Sequence, residues 1–419
     1  MSFLGSSSGG AGRFGAALIR HRVIAGTAFA ATAVLVAGCA YAATASNSSG
    51  HESISNVSDT KPVSKHVTKK TAPPAIPLKL VSVTPGNGAH HANGGDPITV
   101  TFSTALSPQT PLPALSPSVA GSWQVSGDTA TFTPKSGYVA GTKVTVKVPG
   151  GANGILPAAA SAGTLKKTLV KSFTTGSYST LRLQQLLAQL GYLPLNWTPD
   201  DPSTGTIAAS DARAQLAAAY DAPAGTFTFQ SGYPRTLTSQ WSAGTDNVLV
   251  DGAVRAFEFN QGLTMDGDAG PQVWADLLKA VAKDKTNPNG YSYALATQGS
   301  SDESLQVWHD GKRVLDTAAN TGIPASPTTD GTFPVYLKYT VTQMKGLNPD
   351  GTKYDDTVYW ASYFHGGDAV HAFPRGSYGS YQSLGCVELP YNGAGPGVAE
   401  DAYNALSYGS LVTVEGPVA

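Results

Sequence analysis

Cysteine is all but missing from this chain: there are two in 419 residues, Cys39 and Cys386. The first lies within an N-terminal leader, so the second has no obvious partner. An unpaired thiol in an oxidising compartment is a liability that reactivity would justify. Surplus charge is missing as well. Lysine and arginine number 27 against 28 acidic residues, a formal net charge of −1. That balance excludes the basic face with which a nucleic-acid binder displaces counterions. Leucine-rich helical stretches are few while Gly, Ser, Thr, Pro and Ala abound, so mostly strand and loop are expected. Membrane-spanning length is also lacking: the uncharged run Val23 to Gly38 has sixteen residues, short of the roughly twenty that cross a bilayer. What the chain does have is length, enough for two to four domains.

Residues 1–39 read as an export signal. Arg13, Arg20 and Arg22 make a positive opening, the apolar run follows, and small residues close it. The closing LVAGC resembles a bacterial lipobox, which implies that Cys39 becomes the lipidated first residue of a mature chain anchored to the outer face of the cell membrane. A cleaved signal that merely contains a cysteine, and an uncleaved hydrophobic anchor, are the alternatives. In each case the rest of the chain is expected to be extracytoplasmic. Residues 40–77 are Ser, Thr, Lys, Asn and Pro with almost no large apolar side chains. Such composition cannot bury enough surface to offset chain entropy, so a disordered, mildly basic linker is expected.

Over residues 78–176 short alternating stretches recur at roughly ten-residue spacing between Gly, Pro and Asn turns, the pattern of a β-sandwich. VSVTPGNGA, ITVTFS and ATFTPKSGYVAGTKVTVKV resemble the bacterial immunoglobulin-like domains found as spacers in exported proteins. His90 and His91 fall in a turn with no third ligand in view and read as solvated. In residues 177–285, Leu181, Leu183, Leu186, Leu187 and Leu190 stand at helical spacing ended by Gly191; Ala253, Phe257, Val273, Trp274, Leu277 and Leu278 repeat it. LQQLLAQLGY and GLTMDGDAGPQVWADLL resemble the two ends of a small helical peptidoglycan-binding domain; a structural helical linker is the alternative. Residues 290–419 alternate again, with HDG as a hairpin turn and one helical stretch, PGVAEDAYNALSYG. The expected fold class is therefore mainly β and multidomain.

Acyl transfer by a thiol requires a thiolate, a base that makes it and donors for the oxyanion. A free cysteine has a pKa of about 8.5 and needs a neighbouring imidazole to react at neutral pH. All eight histidines precede Cys386, which excludes the papain-like order of cysteine first and histidine after. His371 and His365 are the nearest candidates. VHAF reads as a strand end, and the glycine- and serine-rich GSYGSYQSLG can fold back to bring Cys386 alongside His371. The small residues of SLGC let backbone N–H groups approach a substrate carbonyl. Other readings stay open at this stage: a buried structural cysteine, a zinc site built on His365, Asp368 and His371, and a non-enzymatic, peptidoglycan-binding lipoprotein.

A histidine followed fifteen residues later by SLGCV, with TTDGTFPVY upstream in a C-terminal β domain, resembles the L,D-transpeptidase (YkuD-type) catalytic domain. The resemblance implies Cys386 as nucleophile, His371 as base and the Ala372 carbonyl as the group that orients the imidazole. It implies that Ser383, Gly385 and the Cys386 amide form the oxyanion and substrate site. Tyr354 falls at a lid tyrosine that contacts substrate, and Gly366 and Gly367 fall at the strand edge bordering the donor peptide. Two positions depart from the family pattern: Leu384 replaces a histidine, and Glu388 stands where Arg or Asn is common. The implied partners are peptidoglycan stem peptides. The implied reaction is acyl transfer from a tetrapeptide stem with release of D-alanine, or stem trimming as an L,D-carboxypeptidase if water is the acceptor, with neither metal nor organic cofactor.

Overall fold

The computed structural model describes residues 77–416 except 160, 161, 206–209 and 300. The expected export signal with Cys39, and the expected linker apart from Pro77, lie outside the described residues.

Alternation, clearest in β2, β5 and β6, builds the first unit. Strands β1 (Leu80–Thr84), β2 (Ile98–Phe102), β3 (Ala114–Ser116), β4 (Gly121–Ser126), β5 (Thr129–Pro134), β6 (Lys143–Val148) and β7 (Leu169–Thr174) form two antiparallel sheets, ordered β1-β2-β5-β4 and β3-β6-β7. Ile98, Val100 and Phe102 of β2 and Val144, Val146 and Val148 of β6 point inward and are at most 1% exposed. They meet Phe132 and Phe173 between the sheets, which is how a sandwich buries one face of each layer. His90 and His91 are exposed.

The second unit contains α1 (Thr180–Gln189), β8 (Leu195–Pro199), α2 (Pro202–Gly205), α3 (Ala212–Tyr220), β9 (Gly225–Phe229), α4 (Arg235–Thr238), α5 (Val248–Gln261) and α6 (Pro271–Ala282). Its helix ends are set locally. Ser179 and Asn247 cap α1 and α5 by accepting the amides of Arg182 and Val250, Gly262 closes α5 in the left-handed region, and Pro271 opens α6. Leu186, Phe257 and Leu277 share one core with Tyr293, Trp308 and Leu411 of the third unit. The first unit docks on α3 and its flank: the Tyr220 hydroxyl donates to the Tyr138 carbonyl at 2.8 Å, and Asn93 Nδ2 donates to Asp221 Oδ2 at 2.7 Å.

A cationic side chain is buried in this core. Arg182 is 0% exposed; Nη1 donates to Gln185 Oε1 at 3.0 Å, while Nε and Nη2 have no partner among the described residues. Burial lowers its pKa to about 10, so it stays charged at neutral pH. A desolvated cation with one hydrogen bond is less favourable than an apolar side chain of similar length, even with the Trp197 ring 5.8 Å away. Arg182→Met is expected to stabilise the protein by roughly 1 kcal/mol, raising the midpoint of a calorimetric melt by a few degrees. A lowered midpoint would contradict this account.

The third unit holds β10 (Ser292–Thr297), β11 (Ser304–His309), β12 (Lys312–Ala318), β13 (Gly331–Pro334), β14 (Leu337–Leu347), β15 (Lys353–His365), β16 (Asp368–Ala372), β17 (Val387–Leu389), α7 (Val398–Ala405) and β18 (Leu411–Glu415). Asp310 and Gly311, both at positive φ, make the tight turn from β11 to β12. Two sheets result, β12-β11-β10-β18-β13 and β14-β15-β16-β17. Leu305, Val307 and Val412 of the first pack against Phe364, Val370, Val387 and Leu389 of the second, with Ala399 and Ala402 of α7. The other face of the second sheet is left to form a cleft.

Candidate active site

The parallel pairing of β16 with β17 sets the centre of that cleft. Val370 lies beside Val387 and His371 beside Glu388. Both valines face the core, at 2% and 0% exposure. Alternation therefore sends His371 and Glu388, and Cys386 two residues before Glu388, to the opposite face. Parallel neighbours need a crossover of about a dozen residues or more, and residues 373–386 supply it.

His371 is 2% exposed, and its Nδ1 lies 3.0 Å from the Ala372 carbonyl. The carbonyl can only accept, so Nδ1 carries the proton and Nε2 presents a lone pair. Burial holds the imidazole below its usual pKa, although the Ala372 carbonyl and Glu388 pull upward; at neutral pH it is an uncharged base. Cys386 is half-buried, and its thiol donates to the Gly367 carbonyl at 3.9 Å. Burial pushes the thiol up to about 12, and the carboxylates of Asp368 and Glu388 act in the same direction. The resting pair is thus a neutral thiol and a neutral imidazole.

Both line a cleft of about 630 Å³ together with Tyr354, Asp356, Tyr363, Gly367, Asp368, Arg375, Leu384 and Glu388. Its roof is the long β14/β15 hairpin, which contributes Met344, Tyr354 and Asp356. The Tyr354 ring lies across Gly346 on the paired strand, where a Cβ would come within 2.5 Å of the phenol oxygen. Burial raises the Tyr354 phenol pKa, and the Cys386 sulfur raises it further. On β15 the cleft-facing positions are even up to Val358, yet Tyr363 also faces the cleft. The switch occurs at a bulge between Tyr359 and Ser362, where Trp360 sits at φ 59°; bulges of this kind re-aim side chains beside active sites.

The turn before Cys386 is braced from beneath. Ser383 is fully buried; its hydroxyl donates to the Cys386 carbonyl at 2.6 Å and accepts from the Gly385 amide at 3.2 Å. The Thr321 carbonyl accepts the amides of Gln382 and Ser383, each at 2.9 Å. Thr321 is in turn held by the buried Glu303, whose carboxylate accepts its hydroxyl at 2.7 Å and its amide at 2.5 Å. Gly385 adopts φ 121°, and a Cβ there would sit 2.5 Å from Asp368 Oδ1.

Of the residues singled out in the sequence, Cys386, His371, Tyr354 and Gly367 share the cleft. Ala372 reaches it only through its carbonyl, and Ser383 and Gly385 shape the turn rather than line the cavity. Gly366, at φ 51°, makes the β15/β16 turn and accepts the Tyr336 hydroxyl. His365 lies against Phe333 with Nδ1 3.9 Å from Asp368 Oδ2; among the described residues no group of three or more His, Cys, Asp or Glu is placed to hold a metal ion. Leu384 and Glu388 both face the cleft. Glu388 is bound by Arg375, whose Nε and Nη2 each donate to one carboxylate oxygen at 2.7 Å. Arg375, Asp356 and Tyr363 are cleft residues that sequence reasoning passed over; for Asp356 the available signal was its place two residues after Tyr354.

Comparison with known proteins bears on the third and first units. Residues 298–414 match the L,D-transpeptidase catalytic domain family (YkuD), and residues 74–175 match a bacterial Ig-like domain family. Among solved structures the chain is similar to an L,D-transpeptidase from Mycobacterium smegmatis, at 16% identity over 81% of this chain and 100% of that one, TM-score 0.27. It is similar to L,D-transpeptidase 3 from Mycobacterium tuberculosis in complex with a faropenem-derived adduct, at 15% identity over 80% and 98%, TM-score 0.26. A third similarity is to the catalytic domain of the E. faecium L,D-transpeptidase, at 27% identity over 30% and 96%, TM-score 0.26. No curated protein matches the chain.

Proposed function

We propose that this chain, which carries an L,D-transpeptidase catalytic domain and a bacterial Ig-like domain, cross-links peptidoglycan outside the cytoplasmic membrane by cysteine acyl transfer. The observation that supports this best is the placing of Cys386 and a neutral, carbonyl-oriented His371 on one face of paired strands, in one cleft. The donor is a tetrapeptide stem. As the sulfur attacks the carbonyl carbon of the third residue, a diamino acid, the thiol proton passes to His371 Nε2. A thiol with a pKa near 12 makes this transfer part of the attack rather than a prior ionisation. Collapse of the tetrahedral intermediate breaks the C–N bond, and D-alanine leaves with the proton returned by His371.

A thioester on Cys386 remains, and the side-chain amine of a second stem takes the acyl group, giving the cross-link and regenerating the thiol. Water in place of that amine makes the product a trimmed stem. Tyr354, Gly366 and Gly367 border the donor peptide, while Ser383 and Gly385 fix the turn from which the Cys386 amide addresses the oxyanion. Lipidation at Cys39 would anchor the chain to the membrane, with the second unit as a peptidoglycan-binding or spacing element.

Incubation of the full chain with a disaccharide-tetrapeptide tests the reading by intact mass. The expected result is an adduct on Cys386 equal to the donor less D-alanine, one equivalent of free D-alanine, and dimer when a second stem is added. A folded protein that forms no adduct, or turns over with Cys386 unmodified, would overturn it.

A further inference from the structure

We propose that Glu388 and Arg375 form a positioning pair for His371, in which Glu388 holds the guanidinium over Phe373 and the guanidinium offsets the pull of the Glu388 carboxylate toward imidazolium. The proposal rests on the reading of His371 as the base. Glu388 is the cross-strand neighbour of His371 and shares its face of the sheet. Its side chain is 5% exposed, against 29% for Arg375, so the carboxylate is almost entirely withdrawn from water. Two parallel hydrogen bonds of 2.7 Å join them, the strongest geometry available to a guanidinium and a carboxylate.

The pair is tied to the imidazole by packing. The Arg375 guanidinium lies 4.7 Å from the centre of the Phe373 ring, and Phe373 meets the His371 ring edge to face at 6.0 Å. Tyr378 fastens the segment between them: its hydroxyl accepts the Arg375 amide at 3.3 Å and the Tyr391 amide at 3.0 Å, and donates to the Phe373 carbonyl at 2.7 Å. The charged or titratable groups facing His371 are thus Glu388 from β17, Arg375 from the crossover, Asp356 from the hairpin roof and the Cys386 sulfur. Without Arg375, a nearly buried carboxylate beside the imidazole favours imidazolium, which cannot accept the thiol proton. Without Glu388, an unpaired guanidinium disfavours protonation and loses its hold on the crossover.

Opposite electrostatic effects give a readout that a purely structural role lacks. In the full chain labelled with carbon-13 at histidine Cε1, the His371 resonance, identified by its loss in His371→Ala, is titrated by NMR. Arg375→Gln is expected to raise its midpoint, and Glu388→Gln to lower it, each by about one pH unit. The exchanged double variant, Arg375→Glu with Glu388→Arg, is expected to return to within about 0.5 unit of the starting midpoint. At pH 6, Arg375→Gln should also slow acylation of Cys386 by a tetrapeptide donor by roughly two- to fivefold, the drop in neutral imidazole that a one-unit rise gives there. Should Glu388→Gln fail to fold, Arg375→Lys serves: it keeps the charge and is expected to leave the midpoint where it was while Arg375→Gln moves it. Equal or same-direction shifts in the two single variants, or equal shifts for Arg375→Lys and Arg375→Gln, would overturn the proposal. The titration needs no stem peptide, so a failure of the transpeptidase reading shows separately, as absent adduct with the opposed shifts intact.

Discussion

Cys386→Ser is expected to abolish acyl transfer, by at least about four orders of magnitude in adduct formation, while leaving the fold unchanged. The chemical reason lies in the base. His371 is oriented by the Ala372 carbonyl, 3.0 Å from Nδ1, and not by the buried carboxylate that stabilises an imidazolium in serine-type triads. Such a base suffices for a thiol, whose proton is the more acidic and whose sulfur is the better nucleophile, but not for an alcohol. The fold should survive because the sulfur's contacts are weak ones to backbone, the Gly367 carbonyl at 3.9 Å and the Ala369 amide, and a hydroxyl can keep both. Intact mass with the tetrapeptide donor, beside a thermal melt, measures both. Adduct on the serine variant at more than about one per cent of the original rate would place the nucleophile elsewhere. The raised thiol pKa adds a companion result. Alkylation of Cys386 by iodoacetamide at pH 7 should be at least about a hundredfold slower than for an exposed cysteine, and should climb as pH rises towards the thiol's own range.

Gly385→Ala carries the second large effect. Two independent obstacles meet at this position: φ is 121°, a region L side chains rarely adopt, and the added methyl would come within 2.5 Å of Asp368 Oδ1. Asp368 has little room to retreat, since Oδ2 accepts the Thr329 amide at 3.4 Å and lies 3.9 Å from His365. The strain must pass into the turn that Ser383 closes on Cys386, moving the sulfur relative to His371. A loss of about a hundredfold or more in acylation is expected, because displacements of about 1 Å cost that much, together with about 2 kcal/mol of stability. Adding Asp368→Ala should recover part of the stability, the share due to the clash, and leave the backbone share in place. Activity within about threefold of the original for Gly385→Ala would show that the turn does not position the sulfur.

How legible all this was in the sequence depended on how local each cause is. Helices α1, α5 and α6 could be read because their apolar spacing and their end signals lie within or beside the segments themselves. The β8/β9 pair could not: Leu195 pairs with Phe229, and α2 and α3 intervene where a short turn would have signalled a hairpin. In the cleft, Cys386 and His371 stood out through residue type and spacing, and Tyr354 through the resemblance. Tyr363 was hidden because the Trp360 bulge breaks the alternation that would have placed it on the same side. Glu388 was visible only as a departure. Its partner Arg375 lies in an irregular crossover with no period to assign it a direction, so the ion pair emerges only once the strands are paired.

The core shared by the second and third units has a mechanical consequence. Leu411 on β18 and Tyr293 on β10 pack into the same cluster as Leu249 and Phe257 of α5. At Gly252 the helix comes so close to the Gly409 carbonyl that a Cβ would be 2.6 Å from it. Backbone meets backbone there, between α5 and the turn that leads into β18. Load entering from the N-terminal side reaches the sheet of β10 and β18 through an interlocked joint, so the helical unit behaves as the chassis of the catalytic domain. Cutting the chain between them would strip a core instead of separating two modules.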